Sequence, residues 1–357
     1  MKTHRIHDDL ARFGPGGADV DRVMPVDEAR AMARELTRRH RENFSVLTRL
    51  VPEDVRDDFA AVYAFCRTAD DLGDEIGDAD RSLELLAWWR DQIERTWAAF
   101  GTDRPGHWVF RALQPTIARF DLSPQPFLDL VSAFEQDQVV RRYETWDELA
   151  DYCRRSADPV GRLVLALLDE GGRASASEPS LEPESTSTED DRLARSDAIC
   201  TALQLTNHWQ DLACDLLERD RIYLPREEIR RAGFEVQDFE DRFRRSAEQG
   251  WAVDADFLTA SRTLVRACVE RTWPLFERGA ELPGRLGPRA APVVETLLRG
   301  GVATLRLIED WDCETVLHRP SLGPVAKASI VLGAWWRTRP ARRTVSAAAV
   351  TEARVSA

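Results

Sequence analysis

The chain has 357 residues, enough for one large core or two ordinary ones, and its 43% hydrophobic and 31% charged content describes a water-soluble globular protein. A formal net charge of −13 excludes nucleic acid as the principal partner, because phosphate backbones are bound by basic surfaces. No window approaches the roughly 18 uninterrupted apolar residues of a membrane span.

Residues 1–26 are rich in Gly, Asp and Arg, lack the apolar core of a signal peptide, and are expected to be loose. From Asp27 onward nearly every segment has helical period and alternating β-branched runs are absent. The fold class is therefore all-α, and residues 27–336 are expected to form a single domain. Ser82 and Ser123-Pro124 read as helix starts, and Thr145 with Glu148 has the pattern of a capping box.

The acidic, Ser-rich run within 171–191 cannot bury enough apolar surface to offset its ordering entropy. It is expected to be a disordered loop between helices of one domain, with an interdomain linker as the alternative. "VAKASIVLGAWW" (325–336) is the most apolar late segment, and the basic, Ala-rich tail 337–357 is expected to be disordered. A last core helix with a frayed tail and a contact with an anionic membrane surface both fit this end of the chain. The six cysteines, Cys66, Cys153, Cys200, Cys214, Cys268 and Cys313, show no C-x-x-C spacing and read as reduced cytosolic thiols. No G-x-G-x-x-G follows a strand, which excludes a Rossmann-type nicotinamide site.

Chemistry concentrates in two acidic stretches. In "YAFCRTADDLGDE", Tyr63, Arg67, Asp70 and Asp74 recur on one helical face, flanked by Val62, Phe65, Ala69 and Leu72. In "QLTNHWQDLACDLLERDRIYLP", Gln204, Asn207, Asp211 and Asp215 do the same among Leu205, Trp209, Leu212 and Leu216. Most charged faces simply point at water. These stripes are one residue wide, however, and like charges at i, i+4 destabilise a helix unless a cation relieves them. Facing D-x-x-x-D pairs would need a bound metal. Mg²⁺ is the expected cofactor, since it takes carboxylate oxygens sparingly and keeps water and phosphate as its other ligands. Asp70, Asp71, Asp74, Asn207, Asp211 and Asp215 are the expected metal residues, with Asp71 about 100° off the first stripe and so either a group that supports the ligands from behind or a flanking ligand. Arg67 and Arg221 are expected to clamp phosphates, with Tyr63 and Tyr223 as donors; for Arg221 a surface ion pair with Glu218 is the alternative. Gln204 and Asn207 would orient water or metal. His208, beside the second stripe, is taken as structural.

These stretches, with "RENFSVLTRLVP", "DLVSAFEQDQ", "SADPVGRLVL" and "LHRPSL", resemble the squalene and phytoene synthases. The resemblance covers roughly residues 28–335 and implies a class I isoprenoid synthase bundle around a central cavity. Condensing members usually show Arg and Glu where this chain has Gln210 and Cys214. In that respect it looks like the hydroxysqualene synthases of bacterial hopanoid pathways, although Ser45 and Thr68 depart from that branch's usual Pro and Trp. The implied reaction is presqualene diphosphate plus water giving hydroxysqualene and diphosphate, a carbon–oxygen lyase activity. Head-to-head condensation to presqualene diphosphate, squalene or phytoene is the alternative, and a non-catalytic scaffold a remote one. The resemblance also implies a substrate tunnel at Phe44, Ser45 and Phe134, with Ala157 and Gly161 leaving room for an isoprenoid chain. Pro159 is expected to kink the helix there. The implied partners are a prenyl diphosphate and other enzymes of squalene and hopanoid synthesis, with the chain cytoplasmic and peripheral membrane contact open.

Overall fold

The computed structural model describes residues 4–39, 50–98, 106–168, 185–249 and 254–338. They divide into two compact units that share the chain: residues 1–140 with 159–169, and residues 141–158 with 170–357. Among the described residues the strand-like pairing is one isolated parallel bridge, Arg142 to Ile222, so the all-α expectation holds.

The first unit contains α1 (His4–Phe13), α2 (Val26–Arg39), α3 (Arg56–Asp74), α4 (Ala79–Ala98), α5 (Trp108–Phe120), α6 (Gln125–Val139) and nearly all of α8 (Asp158–Leu168). α3 is its axle, with α1, α2, α4, α5 and α6 all packed on it. The sequence suits that place: Ala60, Ala61, Ala64 and Ala69 let neighbouring helices approach closely, while Phe65 and Leu72 are fully buried. Phe65 meets Phe127 edge-on at 4.9 Å between ring centroids, and Trp89 lies 4.6 Å from Phe110.

The second unit contains α7 (Trp146–Ser156), α9 (Ser185–Gln210), α10 (Leu212–Arg219), α11 (Arg226–Arg231), α12 (Val236–Gln249), α13 (Ala255–Gly279), α14 (Leu282–Arg285), α15 (Ala291–Asp310) and α16 (Pro324–Arg337). Here α9 is the axle, carrying α7, α10, α13, α14 and α15. Its close approach to α13 and α15 depends on Gly301, where a Cβ would fall 2.5 Å from Leu203 Cδ2 and 2.7 Å from Phe276 Cζ. Trp209 is fully buried, and its Nε1 donates to Thr272 Oγ1 at 2.9 Å.

Several expectations change. The opening segment, expected to be loose over 1–26, forms α1 and buries Ile6, Phe13 and Met24. Asp9 anchors it, accepting from Trp108 Nε1 at 2.8 Å and lying 2.8 Å from His107 Nε2. Because His107 Nδ1 accepts from the Val109 amide, the proton belongs on Nε2, facing Asp9. The acidic run expected as loop through residue 191 is helical from Ser185, and residues 171–184 lie outside the described residues. Asp191 takes Arg195 and Arg285 at 2.8 Å each, which ties this part of the run down. Ser82 is buried inside α4, whose start is marked instead by Asp78 Oδ1 accepting from Arg81 N. Thr145 caps α7 as expected, though Glu148 reaches back to the Glu144 amide, one residue earlier than a capping box requires. Of the tail, Arg337 and Thr338 close α16, and 339–357 lie outside the described residues.

Candidate active site

The first acidic stripe runs down the last turns of α3. Tyr63, Arg67, Asp70 and Asp74 are all half-buried, so the axle helix of the unit is not sealed along this line. Arg67 pairs with Asp70 at 3.1 Å and with Asp71 one turn on. Burial works against the Arg67 guanidinium, but Asp70 and Asp71 outweigh it and hold the cation above its usual range. Asp71, expected to support the ligands or to flank them, is buried and held by this bond. Its carboxylate thus orients Arg67 rather than standing on the open stripe. Cys66, beside it, is pushed up to about 12 by burial and then by Asp70, and stays a neutral thiol. α6 closes over the end of the stripe: Gln138 Nε2 donates to the carbonyls of Gly73 and Phe134 at 3.1 Å each. A Cβ at Gly73 would lie 3.3 Å from Gln138 Nε2 and 3.6 Å from Phe134 Cβ, which accounts for a glycine between Leu72 and Asp74.

The second stripe does not run along one straight helix as its period predicts. α9 ends at Gln210, and Asp211 is the residue before α10, with φ −103° and ψ 13°. That backbone region is sparsely populated and is used repeatedly at active sites. The turn survives the break, since the Asp215 amide donates to the Asp211 carbonyl at 2.9 Å and the Asp211 amide to the Asn207 carbonyl at 2.9 Å. Asp211 and Asp215 therefore keep their one-turn spacing. Burial, then the neighbouring Asp211, pushes the Asp215 carboxyl up to about 7, against the pull of Arg219 and Arg221. Arg219 Nη1 sits 3.2 Å from Asp215 Oδ1. Arg221 is buried and lies in the field of Asp215. Asn207 is exposed and Gln204 half-buried.

Behind this stripe His208 stacks on Tyr223 at 3.6 Å between centroids, with Tyr143 and Tyr152 beside them. Burial drops the imidazole to about 3, so it is neutral, and its Nε2 has no protein partner. Tyr223 is buried against it.

The resemblance marked "LHRPSL" without assigning it a role. This segment straps the break in the second stripe: Arg319 grips Asp211 through both carboxylate oxygens, and Gln210 Nε2 donates to the Pro320 carbonyl. Arg319 was thus legible only as part of a motif, because its partner stands over a hundred residues upstream. Of the expected tunnel residues, Phe134 is half-buried against Gly73 and Ala157 is buried between α7 and α8. Pro159 does more than kink a helix: α7 ends at Ser156 and α8 begins at Asp158. Gly161 is half-buried on α8, and Phe44 and Ser45 lie outside the described residues. The cavities found in the first unit, of about 470 and 570 Å³, border α1 and include none of the expected site residues.

Among the described residues no three His, Cys, Asp or Glu side chains converge into a ready metal cage. Each stripe nonetheless offers hard carboxylate oxygens one turn apart. Asp70 is 39% and Asp211 26% exposed at the side chain; both are paired here, Asp70 with Arg67 and Asp211 with Arg319, so a ligand would share or displace those arginines. That donor set fits Mg²⁺, which usually takes one or two carboxylates and completes its shell with water and substrate phosphate.

A helical chain with one D-x-x-x-D stripe on α3 and a second across the break between α9 and α10 is of the isoprenoid-synthase class. The chain belongs to the squalene/phytoene synthase family, whose sequence model matches residues 37–325. It is 37% identical over 198 residues to a hydroxysqualene synthase of Rhodopseudomonas palustris, a match spanning 55% of this chain and 59% of that protein's length. A 15-cis-phytoene synthase of Synechococcus elongatus is 30% identical over 257 residues, 70% of this chain and 80% of that protein. Among solved structures, the squalene synthase HpnC of Alicyclobacillus acidocaldarius superposes with a TM-score of 0.64 at 37% identity, covering 81% of this chain and 97% of that one. A dehydrosqualene synthase, 20% identical, shares the fold with a TM-score of 0.69.

Proposed function

We propose that the chain is a hydroxysqualene synthase: with Mg²⁺ it converts presqualene diphosphate and water into hydroxysqualene and diphosphate. The observation that carries this reading is the composition of the second stripe. Its carboxylates are intact, but Gln210 and Cys214 are neutral where condensing relatives resemble one another in carrying Arg and Glu. Gln210 is committed to the Pro320 carbonyl, and burial followed by Glu218 pushes the Cys214 thiol up to about 11, so neither group brings charge to the wall. The similarity to proteins named hydroxysqualene synthase supports the same reading.

In this proposal Asp70, Asp74, Asp211 and Asp215, with Asn207, would hold Mg²⁺, which when bound withdraws charge from the diphosphate leaving group. Arg67, kept fully charged by Asp70 and Asp71, clamps phosphate oxygens, and Tyr63 and Tyr223 donate to them. The carbon–oxygen bond to diphosphate breaks, with its electron pair leaving on the diphosphate. The cyclopropylcarbinyl cation so formed rearranges, one ring carbon–carbon bond shifting and another breaking to leave an open-chain allylic cation; water adds to that cation, and its surplus proton passes to solvent or to the departing anion. A neutral wall at Gln210 and Cys214 leaves water as the nucleophile at hand.

A second reading, condensation of two prenyl diphosphates, is favoured by the cyanobacterial phytoene synthase match. The two are separated by offering purified protein and Mg²⁺ presqualene, farnesyl or geranylgeranyl diphosphate, with products read by gas chromatography–mass spectrometry. Hydroxysqualene from presqualene diphosphate alone, indifferent to NADPH, is the expected result. Consumption of farnesyl or geranylgeranyl diphosphate would establish condensation instead. Gln210→Arg with Cys214→Glu should shift the product mixture away from hydroxysqualene; an unchanged mixture would sever the link between those residues and water capture.

A further inference from the structure

Three of the chain's four tyrosines, Tyr143, Tyr152 and Tyr223, gather at His208, and all four rings are buried. Tyr223 stacks on the imidazole with 17° between the planes, and Tyr152 lies 6.0 Å from it between centroids. Tyr143 backs these two tyrosines at 5.8 and 5.5 Å. Within this cluster His208, 5% exposed, has its Nε2 buried with no hydrogen-bond partner among the described residues. The stack explains why Tyr223 does not serve it, since the bonding direction of a ring nitrogen lies in the imidazole plane, alongside the tyrosine face. A buried nitrogen left unmatched is costly, and a phenyl ring would fill the same place without that cost. Buried polar atoms that the protein leaves over are commonly served by a bound water.

Position says which water. His208 follows Asn207 directly and stands three residues before Asp211, within the second stripe. It shares a face of α9 with Gln204 and Thr201, four and seven residues earlier. That face stays polar through a buried contact: Thr201 Oγ1 donates to Asp158 Oδ1 at 2.9 Å, and Asp158 is 3% exposed. Along α9 and α10, His208 Nε2 is the one buried side-chain nitrogen or oxygen without a partner among the described residues. A carbon cation is stabilised by aromatic faces and destroyed by loose water. A wall of tyrosine rings with a single acceptor set in it answers both demands, because it holds one water at a fixed point.

We infer that His208 holds the water that captures the cation, its Nε2 accepting a hydrogen bond from that water while Tyr223 fixes the plane of the ring. An oxygen lone pair is then left to form the new carbon–oxygen bond to the open-chain cation. The imidazole orients the water and does not keep its proton, which leaves to solvent or to the departing diphosphate. The inference rests on the hydroxysqualene reading and names the residue that delivers its second reactant.

The test is product partition from presqualene diphosphate with Mg²⁺, read by gas chromatography–mass spectrometry on the full-length protein. His208→Phe keeps a ring against Tyr223 and removes the nitrogen. It should consume substrate within about tenfold of the wild-type rate, yet lower the hydroxysqualene share of the product about tenfold or more, with hydrocarbons formed by proton loss in its place. Its melting temperature should hold or rise, as an unmatched polar atom is gone. His208→Gln, which returns a polar side-chain end, should restore part of the alcohol. The share is read per product formed, so it does not depend on how much of a variant folds; should His208→Phe not accumulate, His208→Leu should show the same loss. Wild-type protein that makes no alcohol would overturn the hydroxysqualene reading and this inference with it. Wild-type protein that makes the alcohol, beside Phe and Leu variants with an unchanged share, would overturn this inference alone and leave His208 a packing residue.

Discussion

Asp58 is 1% exposed and shares one carboxylate among Arg30 Nη2, Arg119 Nη1 and Thr116 Oγ1, each at 2.8 Å. Removing a buried carboxylate from such a cluster strands its partners, and Asp58→Ala should cost about 3–5 kcal/mol in urea unfolding. A loss under about 1 kcal/mol would mean the cluster is solvated. On the proposed function the acidic stripes should behave differently, because their carboxylates would serve a ligand rather than the fold. Asp74→Asn and Asp211→Asn should each lower kcat about 100-fold or more; the melting temperature of Asp74→Asn should hold or rise as like-charge repulsion is relieved, whereas Asp211→Asn also gives up the pair with Arg319. A melting temperature that falls in step with activity would make these aspartates structural. At this scale much was legible: spacing alone marked Tyr63, Arg67, Asp70 and Asp74, since one helix orders them. Helical angle set Asp71 off the stripe, as a supporting or a flanking group; its burial, which comes from neighbouring helices, was not legible. Arg319 and Asp58 were beyond reach, since the groups they bind lie far off in sequence.

Among elements, the helix periods were legible and the breaks were not. The second stripe reads as one continuous helix; the turn at Asp211 has no Gly or Pro to announce it, and the Arg319 and Gln210 contacts that accompany it come from another segment. Conversely, Pro159 did announce a disturbance, and the helix divides there. α1 was missed because its charged residues and the glycines that follow it disguise a short helix whose anchor, Asp9, meets its partners His107 and Trp108 only in the folded unit. Asp9→Ala should therefore loosen α1 and expose it to limited proteolysis; cleavage at the wild-type rate would refute that anchoring. Packing of α9 against α15 makes a comparable demand. Gly301→Ala would force Leu203 and the Phe276 ring to move and should cost about 1–3 kcal/mol by thermal or urea unfolding.

For the whole molecule, family and fold are carried by a pattern that spans most of the chain, from residue 37 to 325, so they were legible early. The course of the substrate tunnel was not, because it depends on how helices distant in sequence come together, and Phe44 and Ser45 lie outside the described residues. With no preformed metal cage among the described residues, metal should contribute to catalysis and little to folding. A chelator should abolish turnover and leave the circular dichroism melt in place, whereas Mg²⁺ with diphosphate at about 100 times its Kd should stabilise by about 2.7 kcal/mol. Loss of folded structure on chelation would contradict the reading of the donor set. The central claim is that water captures the cation released from presqualene diphosphate, and its most direct test is turnover of that substrate in oxygen-18 water with Mg²⁺ and no NADPH. The account predicts hydroxysqualene carrying the heavy oxygen and diphosphate without it. Label in the diphosphate, which would mean cleavage at phosphorus, or a product with no hydroxyl group would contradict it.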